Sequence, residues 1–162
     1  MLRLGIVGAA FVAALGLSTA ANGIGNRDSA NGTIRRLTLA GFPNTVHVNA
    51  SSGAQGEDAH GMFWQTVERP GIGEVRISGR VSCLAVDGNQ SAVRGTVDDS
   101  TDPFFAVGSE VQIQIEDNGS PGAGADRTIT LSGFSSGEGC PEFFEGVPMA
   151  TILDGNFVVN DS

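Results

Sequence analysis

Lysine is absent from this chain, so all nine basic side chains are arginines, against 18 Asp and Glu residues. Without lysine there is no Schiff-base chemistry on a lysine amine. The formal net charge is -9 at pH 7, and the arginines form no basic stripe. Nucleic acid and anionic membrane surfaces are therefore not expected as partners.

Histidine is almost as scarce, because His47 and His60 are the only imidazoles. The sequence contains neither a Gly-x-Ser-x-Gly nucleophile turn nor a His-Glu-x-x-His zinc pattern. A nucleophile with a base and an orienting acid is therefore not predicted, and we assign no catalytic residue. A pair of loop carboxylates could still serve as acid and base, so a secreted hydrolase remains the alternative to a non-enzymatic protein.

The N-terminus has one positive charge at Arg3, an apolar run over residues 4–17, and small residues through Ala21. This pattern predicts a secretory signal peptide over 1–21, cleaved after Ala20 or Ala21. An uncleaved anchor is the alternative, since the run approaches the roughly 18 to 20 apolar residues of a spanning helix. Glycines dilute the run and no basic cluster follows it. We expect a secreted, extracellular protein with no membrane insertion after cleavage.

Only two cysteines, Cys83 and Cys140, occur in the chain. A metal site or a catalytic thiol would need His or Cys companions at ligand spacing, and the sequence has none. Because an exported protein meets an oxidising environment, we predict a Cys83–Cys140 disulfide. Residues 22–32 are rich in Gly, Asn and Ser and predict a flexible lead, followed by a single domain over 33–162.

Apolar residues recur with period two after the lead, which is typical of half-buried antiparallel strands. In the segment 111–116 the pattern predicts that Val111, Ile113 and Ile115 face the core while Gln112, Gln114 and Glu116 face solvent. A longer run is predicted to place one set of side chains on a shared face: Val75, Ile77, Val81, Cys83 and Ala85.

Turn residues separate these segments, and Asp87-Gly88-Asn89 is the strongest hairpin signal in the chain. No helical stripe follows the signal peptide. The prediction is an all-β fold, an antiparallel β-sandwich or small β-barrel built mainly of hairpins, with one disulfide.

The loop from Asp117 to Asp126 is glycine-rich and has a carboxylate at each end. Such oxygens suit calcium, so we predict Asp117 and Asp126 as candidate calcium ligands. Further acidic side chains would add oxygens if the fold brought them near: Glu116, Asp98, Asp99 and Asp102. An ordinary hairpin end needs the same residue types, and that interpretation stays open.

Most of the large apolar side chains outside the strand pattern fall in a few short clusters: Met62, Phe63, Trp64, Val67, Phe104, Phe105, Phe143 and Phe144. They are expected in the core, with one ring of each Phe pair partly exposed. The alternative is a platform for a sugar or a small ligand pocket, which barrels of this size sometimes provide.

Several segments together resemble a loose group of small exported bacterial proteins of the actinobacterial type: 81–89, 95–97, 115–126 and 155–159. The resemblance implies an exported all-β domain but carries no activity, cofactor or partner. We expect a secreted, non-enzymatic extracellular β-domain that serves as a binding or structural module. The alternatives are the hydrolase with loop carboxylates and a calcium-stabilised surface module.

Overall fold

The computed structural model describes residues 27–119, 126–134, 140, 143–144 and 146–162. The predicted signal peptide lies outside these ranges. Within them are eight strands and no helix: β1 (Arg27–Leu37), β2 (Pro43–Gly53), β3 (His60–Arg69), β4 (Gly73–Asp87), β5 (Gln90–Ser100), β6 (Glu110–Glu116), β7 (Arg127–Phe134) and β8 (Ala150–Asn160). It follows that the described chain offers no helix able to span a membrane.

Each strand pairs antiparallel with the next, and β8 pairs back onto β1, so the sheet closes into a barrel. The all-β prediction is confirmed, and of its alternatives the barrel is the one observed. The predicted hairpin is confirmed too: Asp87 pairs with Gln90, and Gly88 takes a φ of 58° in the turn between them. A positive φ of this kind carries no steric cost for glycine.

Strand β1 begins at Arg27, inside the segment predicted to be a flexible lead. Asp28 and Ala30 are buried, and β1 is paired on both sides from Ser29 onward. Gly32 lies so close to β8 that a Cβ there would be 2.2 Å from the Asn156 carbonyl oxygen. From Arg27 onward, the polar, glycine-rich segment is therefore part of a tightly packed strand.

The core fills the inside of the barrel with side chains from all strands except β7: Ala30, Ile34, Val46, Val48, Ala50, Phe63, Ile77, Val81, Leu84, Val93, Val97, Val111, Ile113, Ile115, Ile152 and Phe157. The ring of Phe63 occupies the space above Gly79 and Gly95, where a Cβ would lie 2.6 Å from the ring in either case. Glycine at these positions makes room for the aromatic ring. Phe63 is thus a core residue, as expected.

A bulge in β4 changes which side chains face inward. The β4–β5 register shifts between Val81 and Cys83, so Val81 and Leu84 both reach the core while Cys83 points outward. The prediction that Cys83 and Ala85 share a face with Val81 is therefore wrong, because one extra residue in the bulge reverses the alternation. Cys83 forms the predicted disulfide with Cys140, at a Cα–Cα distance of 5.3 Å.

Strand β6 is buried on both faces. Val111, Ile113 and Ile115 face the core as predicted. The prediction that Gln112 and Gln114 face solvent is wrong, since Gln112 is 0% exposed and Gln114 is buried as well.

The cover over β6 comes from distant parts of the chain. The backbone N–H of Phe144 donates to Oε1 of Gln114 at 3.1 Å, and Arg94 donates to Oε1 of Gln112 at 3.3 Å. Phe134 stacks on Phe144 and lies under the Arg94 guanidinium. Described parts of the β7–β8 connection therefore lie on the outer face of the barrel, which the disulfide also fastens to β4.

Candidate ligand site at one end of the barrel

The strand order places the turns in two groups. The upper end of the barrel carries the β1–β2 turn (38–42), the β3–β4 turn (70–72) and the β5–β6 loop (101–109). The lower end carries the β2–β3 and β4–β5 connections and the start of the β6–β7 loop.

A cavity of about 240 Å³ lies at the upper end. Its wall combines apolar and polar side chains of β1, β2, β3, β7 and the two adjoining loops: Arg36, Thr38, Leu39, Ala40, Phe42, Asn44, Gln65, Val67, Arg69, Phe105, Ile129, Thr130 and Leu131. Arg36, Asn44 and Gln65 are buried there. We refer to this space as the upper cavity.

Arg36 is a buried cation in this wall, at 4% exposure. Its Nη1 donates to the Thr128 carbonyl at 2.7 Å and its Nη2 donates to the Thr130 hydroxyl at 3.0 Å. That hydroxyl in turn donates to Oε1 of Gln65 at 2.7 Å. The guanidinium thus joins β1 to β7 across the upper cavity.

The hydrogen-bonding capacity of Arg36 is not fully used. Its Nε is buried without a partner. Burial lowers the pKa of Arg36 to about 10, so the group is still a cation at neutral pH. A buried cation without a counter-charge is strongly disfavoured unless an anion or further acceptors reach it.

Asn44 is the neighbour of Arg36 in the β1–β2 register and is also 4% exposed. Neither Oδ1 nor Nδ2 of this amide has a hydrogen-bond partner. An unsatisfied buried polar group costs about 1–3 kcal/mol. Two adjacent residues that line the upper cavity therefore have unmet hydrogen-bonding capacity, at atoms that are themselves fully buried.

An ion pair fixes one side of the rim. Arg69 donates to Oδ2 of Asp102 at 2.6 Å, and Oδ1 of Asp102 accepts the backbone N–H of Phe104 at 3.0 Å. The Arg69 guanidinium lies 4.5 Å from the centre of the Phe104 ring. On the facing turn, Leu39 is 67% exposed. The rim is thus formed by the β5–β6 loop, which this ion pair holds in place, and by the apolar β1–β2 turn.

The predicted calcium ligands lie at the lower end, where they cap strand edges. Asp126 is 1% exposed, and its two oxygens accept the backbone N–H groups of Asn118 at 3.0 Å and Phe157 at 3.1 Å. Asp117 accepts those of Gly119 at 2.8 Å and Val159 at 3.0 Å.

This capping follows from the stagger of the barrel. Strand β7 pairs with β8 only through Arg127 and Thr128, so much of β8 needs other partners on that edge. Residues 120–125 of the loop lie outside the described residues, and calcium binding there stays a prediction. Asp98 and Asp102 are at the upper end, paired with Arg80 and Arg69.

His47 lies beside a threonine hydroxyl, and His60 lies beside a backbone carbonyl. His47 is partly exposed on the outer face and stacks on Trp64 with ring centres 5.4 Å apart, and the Thr33 hydroxyl oxygen lies 2.7 Å from its Nδ1. Partial burial lowers the pKa of His47 below its ordinary value. His60 Nδ1 donates to the Asp58 carbonyl at 2.8 Å. Within the described ranges, no cluster of three metal-ligating side chains occurs.

Sequence reasoning missed the upper cavity, although a signal was present. Arg36 and Asn44 each follow the inward alternation of a strand, two residues from core-facing Ile34 and Val46 respectively. A charge or amide at an inward position is unusual and points to a paired group or a site.

Searches of protein-family models, curated proteins and solved structures found no match for this chain.

Proposed function

We propose that this protein is an exported, non-enzymatic binding module that takes one small ligand into the upper cavity. The observation that carries the proposal is the pair Arg36 and Asn44, both buried in the wall of that cavity with unpartnered polar atoms. Binding sites typically combine apolar walls with a few converging polar groups. Leu39, Phe42 and Phe105 supply such walls here.

The barrel size supports a small ligand. An eight-stranded barrel is just wide enough to be filled by side chains or to hold one small molecule. Side chains fill this barrel over most of its length, where Phe63, Phe157 and the aliphatic core occupy the interior. At the upper end the filling gives way to polar groups and space.

An extracellular location and a binding role fit the other features. A disulfide such as Cys83–Cys140 persists in oxidising compartments. On the rim of the upper cavity the carboxylate of Asp102 is engaged by Arg69, which supports binding over chemistry at that carboxylate.

The test is a ligand panel against wild type and an occluded variant. Ala40 is exposed on the turn that lines the upper cavity, so Ala40→Trp should narrow its entrance without disturbing the core. Ala54→Trp, equally exposed but at the lower end, is the matched control. Small acids, alcohols and amines of about ten heavy atoms are then titrated by calorimetry.

We expect at least one compound to bind wild type and Ala54→Trp with the same affinity, and to bind Ala40→Trp at least about tenfold more weakly. Absence of binding across the panel, or equal binding to both tryptophan variants, would contradict the proposal.

A further inference from the structure

We infer that the loop tips at the upper end of the barrel dock on the surface of a zwitterionic lipid bilayer. The four most exposed large apolar side chains among the described residues all belong to these loops: Leu39, Ile72, Phe104 and Val107, with exposed fractions from 57% to 69%. From the sequence alone we expected no membrane insertion, and these side chains come together only in the fold. The contact is peripheral, and it does not depend on a ligand in the upper cavity.

The charges of the protein are kept away from these tips. The three upper-end loops contain a single charged residue, Asp102, which is buried and bound by Arg69. The lower end differs, because its β2–β3 connection carries the exposed Glu57 and Asp58. In a chain of net charge -9, one uncharged end with exposed apolar side chains fits an uncharged, apolar phase.

The backbone of each tip is hydrogen-bonded inside its own loop. The Ile72 N–H donates to the Arg69 carbonyl at 3.1 Å, and the Phe105 N–H donates to the Asp102 carbonyl at 3.1 Å. The Gly41 N–H closes the β1–β2 turn in the same way at 2.9 Å. Backbone groups without partners are strongly disfavoured in lipid. Turns that are closed internally can therefore place their apolar side chains in a bilayer at low cost.

A bilayer fits these tips better than a second copy of the chain. Two copies would each bring a net charge of -9 to the contact, and such a charge favours the monomer. The exposed apolar side chains also stand on three separate loops, so they are single anchors and not one continuous face. A fluid lipid surface accepts separate anchors without a complementary shape.

The charges just behind the tips favour a zwitterionic headgroup. Glu68 and Glu74 are exposed and directly opposed across β3 and β4, and neither forms an ion pair with a described residue. Arg35 lines the same depression as these two carboxylates. A headgroup with an ammonium and a phosphate can pair with both signs of charge, whereas the two glutamates would repel an anionic headgroup.

The experiment measures how residues 22–162 partition onto phosphatidylcholine vesicles, by sedimentation of the vesicles. Residues 1–21 are omitted because their apolar run would bind lipid by itself, and all eight strands begin at Arg27 or later.

Two double variants are compared with wild type. Ile72→Ser/Phe104→Ser removes two tips, and neither residue lines the upper cavity. Met62→Ser/Val158→Ser is the matched control, since these two apolar side chains are exposed on strands β3 and β8. We expect the control to partition as wild type does, and Ile72→Ser/Phe104→Ser to lose at least about tenfold in the partition coefficient. Phosphatidylglycerol in the vesicles should weaken binding at low ionic strength.

A tryptophan at one tip reports the contact itself, even if the serine variants were less stable than wild type. Trp64→Phe removes the only tryptophan of the chain. In that background, the emission of Phe104→Trp should shift to shorter wavelength when phosphatidylcholine vesicles are added, because the indole leaves water. The emission of Met62→Trp should not shift.

Several results would overturn the inference: no partitioning of wild type, equal losses in the two serine variants, or binding to anionic vesicles as tight as to neutral ones. A wild-type dimer in sedimentation velocity without lipid, converted to monomers by Ile72→Ser/Phe104→Ser, would assign the tips to self-association instead. None of these results bears on the proposed function, which the small-molecule panel tests separately.

Discussion

At the scale of single residues, the structure gives the acidic loop a definite structural role. Asp126 and Asp117 accept backbone N–H groups of β8 that β7 does not reach. Asp, Asn and Gly at a hairpin end indicate a turn, but which strand edge the carboxylates cap depends on the stagger between β7 and β8. No local pattern contains that stagger, so the sequence could predict the turn and not the partners.

The capping role predicts the effect of Asp126→Asn. The asparagine has only one acceptor atom, so one of the N–H groups of Asn118 and Phe157 would face an amide N–H instead. We expect a loss of about 1–3 kcal/mol in the free energy of unfolding, measured in urea with EDTA present. If Asp126 acted only as a calcium ligand, this loss would appear with calcium and vanish in EDTA.

His47 gives a pH-dependent prediction. Because its pKa is lowered by partial burial beside Trp64, the folded protein binds a proton less readily than the unfolded chain. Stability should therefore be unaffected above the ordinary pKa of 6.5 and decline as the pH falls below it. An NMR titration of the His47 ring should give a midpoint below 6.5. A midpoint at or above that value would contradict the assigned environment.

At the scale of secondary-structure elements, local alternation predicted the strands well and their surroundings poorly. The inward set on β6 was identified from period two alone, because Val111, Ile113 and Ile115 alternate without interruption. The outer set was misassigned, since Gln112 is covered by side chains far away in sequence. Likewise, no local sequence pattern predicts the bulge in β4, which turns Cys83 away from the core.

The disulfide should stabilise the β7–β8 connection, which it joins to β4. Cys83 and Cys140 are 57 residues apart, a loop length for which chain entropy implies about 4 kcal/mol of stabilisation. In the Cys83→Ser/Cys140→Ser double variant we expect a loss of up to this amount in urea denaturation. We also expect faster hydrogen exchange at Phe144, whose N–H bonds to Gln114. Unchanged exchange there would show that the connection holds its place without the disulfide.

At the scale of the whole molecule, closure of the barrel is the step that sequence reasoning left open. It depends on the pairing of β1 with β8, for example Ser29 with Asn160, at the two ends of the described chain. A sandwich and a barrel would have the same local alternation and the same turns. The upper cavity depends on that closure as well, because Arg36 on β1 meets Thr128 and Thr130 on β7.

Adjacent residues of β8 test the closed barrel. Phe157 is fully buried in the core, whereas Val158 is exposed on the outside. Phe157→Ala should lower the free energy of unfolding by about 3–5 kcal/mol, and Val158→Ala should change it by less than about 1 kcal/mol. The measurement is urea denaturation of both variants. Similar losses would mean that β8 does not present these faces as described.

Intermolecular NOEs between a panel compound that binds wild type and the isotope-labelled protein test whether the upper cavity is a ligand site. We expect NOEs from this compound to Leu39, Val67 and Phe105. A second, larger depression on the outer face, lined by Phe144 and Met149 among others, is the natural competitor. NOEs to Phe144 and Met149 in place of the upper cavity, or no NOEs at a saturating concentration of the compound, would contradict binding in the upper cavity.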